Sequence, residues 1–137
     1  MRNLTWLSET VLLKVKRGEI WLVNLNPQGH PEEIAKDHRP CVVLQADLLN
    51  AAGYSTTVVI PCTTVTYRDE NGDGFPLKVG VGRIQKPGYA PEETDALITS
   101  IRSISNKRFQ GDRPIGVVSR NLMKRVEDAL KIILGPM

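Results

Sequence analysis

The chain of 137 residues contains only two cysteines and two histidines. Cys41 and Cys62 each follow a proline inside a short apolar run, which predicts small buried thiols rather than a disulfide framework or a zinc site. The sequence also lacks an apolar run long enough to cross a bilayer, and it has no internal repeat. Its start, MRNLTWLSETVLL, shows no small-residue cleavage site, so we expect a cytoplasmic protein.

Charge is nearly balanced, with 18 Lys and Arg against 15 Asp and Glu, which gives a net charge of +3. This mild basic excess permits a nucleic-acid partner without demonstrating one. The length suits one domain that buries an adequate core without metals or disulfides. Residues 1–14 carry no clear period, so we assign them to an N-terminal extension and residues 15–137 to a single domain.

One acidic segment imitates a metal site. Asp69, Asn71, Asp73 and Gly74 fall at the first, third, fifth and sixth positions of an EF-hand calcium loop. The twelfth position, where a bidentate glutamate belongs, is Gly80, and no amphipathic helix flanks the segment. We therefore expect a solvated loop here, and a function that needs no metal and no cofactor.

Short, β-branched apolar segments recur along the chain and are separated by polar loops that contain Pro and Gly. They predict five strands, a helical turn around residues 46–52, and a further short strand in IGVV at 115–118. The segment GRIQKPGYAPEET, residues 82–94, is predicted to be a long connection. The five predicted strands are residues 19–25, a second beginning at Pro40, residues 56–62, residues 75–79 and residues 95–104.

A helix is predicted at the end of the chain. Ser119 is a suitable N-cap, and Gly135 is a suitable stop after Leu134. Several short strands and one closing helix predict a small, strongly twisted antiparallel barrel. The predicted apolar stripe of the helix consists of Leu122, Val126, Ala129, Leu130, Ile133 and Leu134.

The segment HRPCVVLQ, residues 38–45, places an arginine at the mouth of a strand that is apolar on both faces. Pro40 suits the first residue of a strand and stiffens the backbone next to Arg39, so the guanidinium is held in a defined direction. An ordinary ion pair with Asp37 or Glu33 would explain the arginine without any function.

A second informative segment is VVIPCTTV, residues 58–65, in which an apolar strand ends in two hydroxyl side chains. Threonines such as Thr63 and Thr64 are common at strand edges, but strand ends are also where binding and catalytic groups are found. Residue type alone does not separate these two interpretations.

Five motifs in order resemble the MazF/PemK family of toxins from about Val15 to Gly135. The resemblance implies a mainly β chain with one helix, folded as a small SH3-like (CcdB/PemK-like) antiparallel barrel closed by that C-terminal helix. It also implies a homodimer, a metal-independent endoribonuclease that cuts single-stranded RNA, and a cognate antitoxin protein that neutralises it. The motifs are VKRGEIW, HRPCVV, IPCTT, IRSISNKR and RVEDALKIILG.

The resemblance implies site residues as well. Arg39 corresponds to the arginine of the family's R-P motif and Thr63 to the threonine of its P-x-T motif, and both are active-site residues in the family. Glu33 resembles a loop glutamate upstream of that arginine, although the spacing to Arg39 is one residue longer here.

The chain departs from the family just before the I-R-[ST] motif. Many members carry an acidic or amide pair there, whereas this chain has Thr99 and Ser100. Arg102, the arginine of the motif itself, is kept. These three residues, together with Thr64, are further candidates for catalysis or RNA binding.

Metal-free RNA cleavage needs a proton acceptor, a proton donor and cationic groups around the charged phosphorane. Arg39 suits the cationic role because its planar fork can make two charge-assisted bonds to phosphate oxygens. Arginine and threonine are too weakly acidic to act easily as the base, so the candidates are His38, His30 and Glu33. His38 adjoins Arg39 and should alternate to the other face of the strand.

Two other functions remain open from the residues. Gyrase-inhibiting toxins of the same general fold bind a protein and cut nothing, and a catalytically weakened relative would bind RNA as a regulator. The pair R-P-C and P-C-T-T favours the nuclease, because phosphate chemistry needs those side chains and gyrase binding does not. The absent carboxylate at Thr99 and Ser100 favours the weakened relative.

Overall fold

The structure, a computed structural model, describes residues 14–25, 38–65 and 77–136. In this part of the chain, eight strands form one mostly antiparallel sheet, and a long helix follows the last strand. The elements are β1 (Glu19–Asn24), β2 (His38–Val43), α1 (Asp47–Ala51), β3 (Thr56–Thr63), β4 (Lys78–Ile84), β5 (Glu92–Leu97), β6 (Arg102–Ser105), β7 (Phe109–Gln110), β8 (Gly116–Val117) and α2 (Arg120–Leu134).

The sheet curls into a nearly closed barrel because two strands have more than one neighbour along an edge. One edge of β3 carries β2, and the other carries both β5 and β6. β1 likewise pairs with β2 on one edge and with β7 and β8 on the other. The segment from β6 to β7 therefore runs from β3 back to β1 and closes the ring.

Two hydrophobic clusters lie on opposite faces of the wall made by β1, β2 and β3. The interior cluster fills the barrel and includes Trp21, whose ring meets Phe109 edge to face at a centroid distance of 5.7 Å. The outer cluster lies between the wall, β4, β5 and α2, and includes Ile60 and Val126. Since both faces are covered, these strands need apolar residues at successive positions, as the sequence has.

The predicted strand over residues 95–104 is wrong as one element. β5 ends at Leu97, a short 3-10 turn covers Ile98–Ser100, and β6 begins at Arg102. Both strands lie along the same edge of β3, where Cys62 pairs with Ala96 and Val59 pairs with Arg102. Between these two pairs β3 advances by three residues, whereas the segment from Ala96 to Arg102 advances by six. The turn between β5 and β6 therefore holds three extra residues.

The predicted connection over residues 82–94 is wrong at both ends. β4 continues to Ile84 and β5 begins at Glu92, so the two strands form a hairpin with a β-bulge between Gly80 and Gly82. Glu92 and Glu93 are exposed, which explains why their segment does not show the apolar pattern of a strand. The predicted fourth strand over 75–79 overlaps β4 only from Lys78, and its first two residues lie outside the described residues.

The predicted start of the second strand at Pro40 is also wrong. β2 begins two residues earlier, at His38, and Pro40 lies within it opposite Leu22 of β1. Because residues 38 and 39 pair with Asn24 and Val23, the arginine belongs to the strand rather than to the loop before it. Its backbone is fixed by the sheet.

The closing helix and the short turn α1 are confirmed. The Ser119 hydroxyl accepts a hydrogen bond from the Leu122 backbone N–H at 3.3 Å, and Gly135 ends α2 with φ of 77°. The buried stripe differs from the predicted one: Leu122 is only partly buried, and Ile133 and Leu134 are exposed, so the last turn projects beyond the outer cluster. The buried residues of α2 are Met123, Val126, Ala129 and Leu130.

The N-cap of α2 generates a stability prediction. Ser119→Ala should lower the free energy of unfolding by about 1 kcal/mol, since the Leu122 N–H loses its acceptor. Ser119→Asp should retain the cap and the stability. Chemical denaturation of both variants checks this, and equal stabilities for Ser119→Ala and the parent would show that the cap contributes nothing.

Candidate active site at the end of β3

The register of the sheet brings the two principal candidates together. Cys41 of β2 pairs with Pro61 of β3, and continuing this register by two residues places Arg39 opposite Thr63. On the other edge of β3, Thr63 pairs with Asp95 of β5. Side chains of opposed residues share a face, with Cβ atoms about 4.5–5.5 Å apart. Arg39, Thr63 and Asp95 therefore form a transverse row across three strands, the β3-end row.

The row continues at both ends. Val23 of β1 pairs with Arg39 and with Phe109 of β7, so the arginine borders the apolar interior of the barrel. At the opposite end Asp95 pairs with Gly80 of β4, which has no side chain. The β3-end row therefore borders an apolar residue at one end and a glycine at the other, on the sheet face that lines the interior cluster.

The three residues of the β3-end row differ in solvent exposure. Arg39 and Thr63 are partly exposed, whereas Asp95 is fully buried, with 0% of its surface accessible. The Thr63 hydroxyl oxygen accepts a hydrogen bond from the Val65 backbone N–H at 3.1 Å, which fixes the side chain just after the strand ends. Arg39 and Asp95 both take part in polar interactions.

A second arginine contributes to the positive charge of this face. Arg102 of β6 pairs with Val59 of β3, so it lies on the same face as the β3-end row. Both Arg102 and Arg39 are close enough to the Cys41 thiol to lower its pKa, although burial outweighs them and raises that pKa to about 12. Two arginines thus lie near Cys41, on one face of the barrel wall.

The other predicted site residues occupy different places. His38 pairs with Asn24 and is exposed on the face opposite Arg39, as strand alternation predicts. Thr64 is exposed directly after β3. Thr99 and Ser100 lie exposed in the 3-10 turn between β5 and β6, outside the β3-end row. Glu33 and His30 lie outside the described residues.

Asp95 was missed by the sequence analysis. A single aspartate in the apolar run DALI has no motif around it, and only the register shows that it faces Thr63. Its isolation inside a buried strand was the available signal, because a carboxylate is rarely fully buried without a partner. Arg108 was missed too, and its guanidinium donates to the Asn24 carbonyl oxygen at 3.1 Å, at the end of β1.

Within residues 14–25, 38–65 and 77–136, no three His, Cys, Asp or Glu side chains are grouped so that they could hold a metal ion. The calcium-like segment 69–74 lies outside these ranges. No helix of the same ranges is long and apolar enough to span a membrane.

A small antiparallel barrel with one closing helix has the architecture of the SH3-like barrels, and the register of β2 and β3 brings an arginine and a threonine together at one of its strand ends. Residues 16–134 match the profile of the family described as PemK-like, MazF-like toxin of type II toxin-antitoxin system. The chain belongs to this family, and the resemblance seen in its five motifs is confirmed.

Known relatives cover nearly the same length. The chain is 32% identical over 124 residues to Endoribonuclease MazF9 of Mycobacterium tuberculosis, an alignment that covers 88% of this chain and 96% of the relative. The fold is similar to that of the Mycobacterium tuberculosis toxin MazF-mt6, with a TM-score of 0.62 at 14% identity, covering 85% of this chain and 95% of the other. It is also similar to MazF of Deinococcus radiodurans, with a TM-score of 0.60 at 19% identity and coverages of 89% and 97%. The predicted barrel with a C-terminal helix is thereby confirmed.

The two thiols generate a prediction. Burial raises the pKa of Cys62 well above its ordinary value, and the neighbouring Cys41 adds to this, so both thiols stay protonated in the native protein. A thiol-specific disulfide reagent should therefore leave both unmodified at mildly alkaline pH and should titrate two thiols once denaturant is added. Rapid modification of the native protein would contradict this burial.

Proposed function

We propose that the protein is the toxin of a type II toxin-antitoxin system and acts in the cytoplasm as a metal-independent endoribonuclease on single-stranded RNA. The observation that supports this most is the register of β2 and β3, in which Cys41 pairs with Pro61 and which, continued by two residues, brings Arg39 opposite Thr63. Family membership and the name of the curated relative, an endoribonuclease, agree with it. The same pair favours RNA cleavage over a gyrase poison, which has no need of phosphate chemistry.

In the proposed reaction the ribose 2′-hydroxyl attacks the adjacent phosphorus and expels the 5′-oxygen. Arg39 holds the non-bridging phosphate oxygens through two charge-assisted hydrogen bonds and stabilises the charge that grows on them. Thr63 contacts an oxygen of the reacting group and does not need to ionise. Arg102 supplies a second positive charge on the same face, which favours binding of the RNA backbone.

The proposed assembly is a homodimer that a cognate antitoxin neutralises. A mycobacterial relative was solved as an endoribonuclease with its cognate antitoxin, and its fold matches with a TM-score of 0.59 at 18% identity. Exposed apolar residues on this chain, among them Ile132, Leu134 and Val117, provide surface for such contacts. Residues 15–137 are proposed to form the toxin domain, with residues 1–14 as an extension.

The proposed chemistry predicts the products. Purified protein should cut long single-stranded RNA in excess EDTA and leave 5′-hydroxyl ends, with a 2′,3′-cyclic or 3′-phosphate on the other fragment. End mapping with a kinase that labels only 5′-hydroxyls reads this directly. Cleavage that stops in EDTA, or that leaves 5′-phosphates, would overturn the mechanism.

Among the arginines, Arg39 should contribute most to the rate of RNA cleavage. Arg39→Ala should lower the cleavage rate roughly a hundredfold, the scale of removing one transition-state donor, and Arg39→Lys should restore it only in part. Arg125→Ala, an exposed arginine on α2, is the matched control and should cut at the parental rate. Single-turnover rates decide, and an Arg39→Ala variant as fast as the control would show that Arg39 is only a strand-end charge.

The proposed dimer is tested by sedimentation. Among the described residues, the outer edge of β4 has no strand partner and the last turn of α2 is exposed, so the protein should sediment as a dimer at micromolar concentration. Ile132→Lys, on that last turn, reports whether this apolar end takes part. A strictly monomeric parent protein would contradict the assembly.

A further inference from the structure

Asp95 is a charged residue in a position where an apolar one would be expected. It lies in the middle of β5, between Thr94 and Ala96, and all three residues are buried. Burial of a carboxylate costs several kcal/mol unless hydrogen bonds compensate for the lost water. Among the described residues every buried side-chain nitrogen and oxygen has a hydrogen-bond partner, so this carboxylate is accommodated.

The position of Asp95 relates it directly to the proposed site. Its cross-strand partner on β3 is Thr63, and its cross-strand partner on β4 is Gly80, which has no side chain. At a Cβ separation of about 4.5–5.5 Å, a change of rotamer is enough to bring a threonine hydroxyl and an aspartate oxygen into hydrogen-bond distance. Such catalytic hydrogen bonds are often looser before substrate binds.

The hydrogen bonds of Thr63 leave the right groups available. A hydroxyl has one proton to donate and two lone pairs to accept with, and the Val65 N–H occupies one lone pair. The other lone pair and the proton remain for a second acceptor and a second donor. A carboxylate has about four acceptor sites, so Asp95 can accept from Thr63 in addition to its existing interaction.

We propose that Thr63 and Asp95 form a proton relay that serves as the general base of the reaction. The inference rests on the proposed ribonuclease function and extends it, because neither Arg39 nor Thr63 alone is a sufficient base. Asp95 never touches the RNA. It acts through Thr63 as the positioning residue and the final proton acceptor.

The relay moves two protons while phosphorus gains one bond and loses another. The ribose O2′ forms a bond to phosphorus and gives its proton to the Thr63 oxygen, while the Thr63 hydroxyl proton passes to an Asp95 carboxylate oxygen. The bond from phosphorus to the 5′-oxygen breaks, and that oxygen takes a proton from water. The products are a 2′,3′-cyclic phosphate and a 5′-hydroxyl, and Thr63 ends the step in its starting form.

Four charged residues share the sheet face of Asp95 by the register of the strands. Arg39 lies beyond Thr63, while Lys78 and Arg83 on β4 and Glu93 on β5 lie diagonally on the same face. The carboxylate is also close enough to Cys62 to contribute to its raised pKa, although burial is the main cause.

The first experiment replaces the carboxylate by an amide of the same shape. Asp95→Asn should lower the single-turnover cleavage rate in EDTA roughly a hundredfold, the usual contribution of a general base. The parental rate should fall in acid, because a protonated carboxyl group accepts no proton, and this acid limb should be absent in Asp95→Asn. Glu92→Gln, an exposed carboxylate on the same strand, is the control and should keep both the rate and the acid limb.

The second experiment tests whether the two residues act as one unit. Thr63→Val removes the hydroxyl and should also lose the acid limb, whereas Thr63→Ser should retain it. The double variant of Asp95→Asn and Thr63→Val should be no slower than the slower single variant, since either change alone breaks the relay. Independent, additive losses would overturn the proposal, and so would an acid limb that persists in Thr63→Val.

Thermal unfolding of each variant separates chemistry from folding. If Asp95→Asn does not fold, the Thr63 variants still decide, because they leave the buried carboxylate in place. A parent protein that cuts RNA in EDTA together with an Asp95→Asn variant of unchanged rate and pH profile overturns the relay alone. A parent protein that does not cut RNA overturns the proposed function instead.

Discussion

The structure depends on one constraint, which is that the single strand β3 pairs with three other strands. β3 is bonded to β2 along one edge and to β6 and then β5 along the other, so Val59 has a partner on both sides. Because both edges are occupied, the end of β3 cannot slide without breaking two registers at once. Thr63 is thereby fixed between the strands that carry Arg39 and Asp95.

The wall of β1, β2 and β3 also explains the unusual sequence of these strands. It separates the barrel interior from the cluster under α2, and a strand covered on both faces needs apolar residues at every position. Cys41 and Cys62 belong to this pattern, one on each face, as small apolar residues rather than reactive groups. On these three strands the charged residues therefore lie at the strand ends, where the coverage stops.

Local patterns were enough to predict the barrel class, α2 with its cap, and the motifs that carry Arg39 and Thr63. These patterns failed where the structure depends on pairing between strands that are distant in the sequence. The segment 95–104 is continuous in sequence pattern, but its three-residue offset along β3 arises from tertiary pairing. Asp95 was missed for the same reason, since its cross-strand neighbour is 32 residues away in the chain. The site residue assignments themselves stay predictions.

The order of groups in the β3-end row has a physical consequence for phosphate chemistry. A carboxylate in direct contact with RNA would repel the phosphate, and the repulsion would grow as the phosphorane gains charge. Placing the neutral Thr63 hydroxyl between them moves the carboxylate back by one strand spacing, about 4.8 Å, while keeping a path for the proton. In the proposed site, Arg39 on the other side of Thr63 binds the phosphate. In the proposed relay, the Thr63 hydroxyl thus separates the cation that binds the phosphate from the buried carboxylate that accepts the proton.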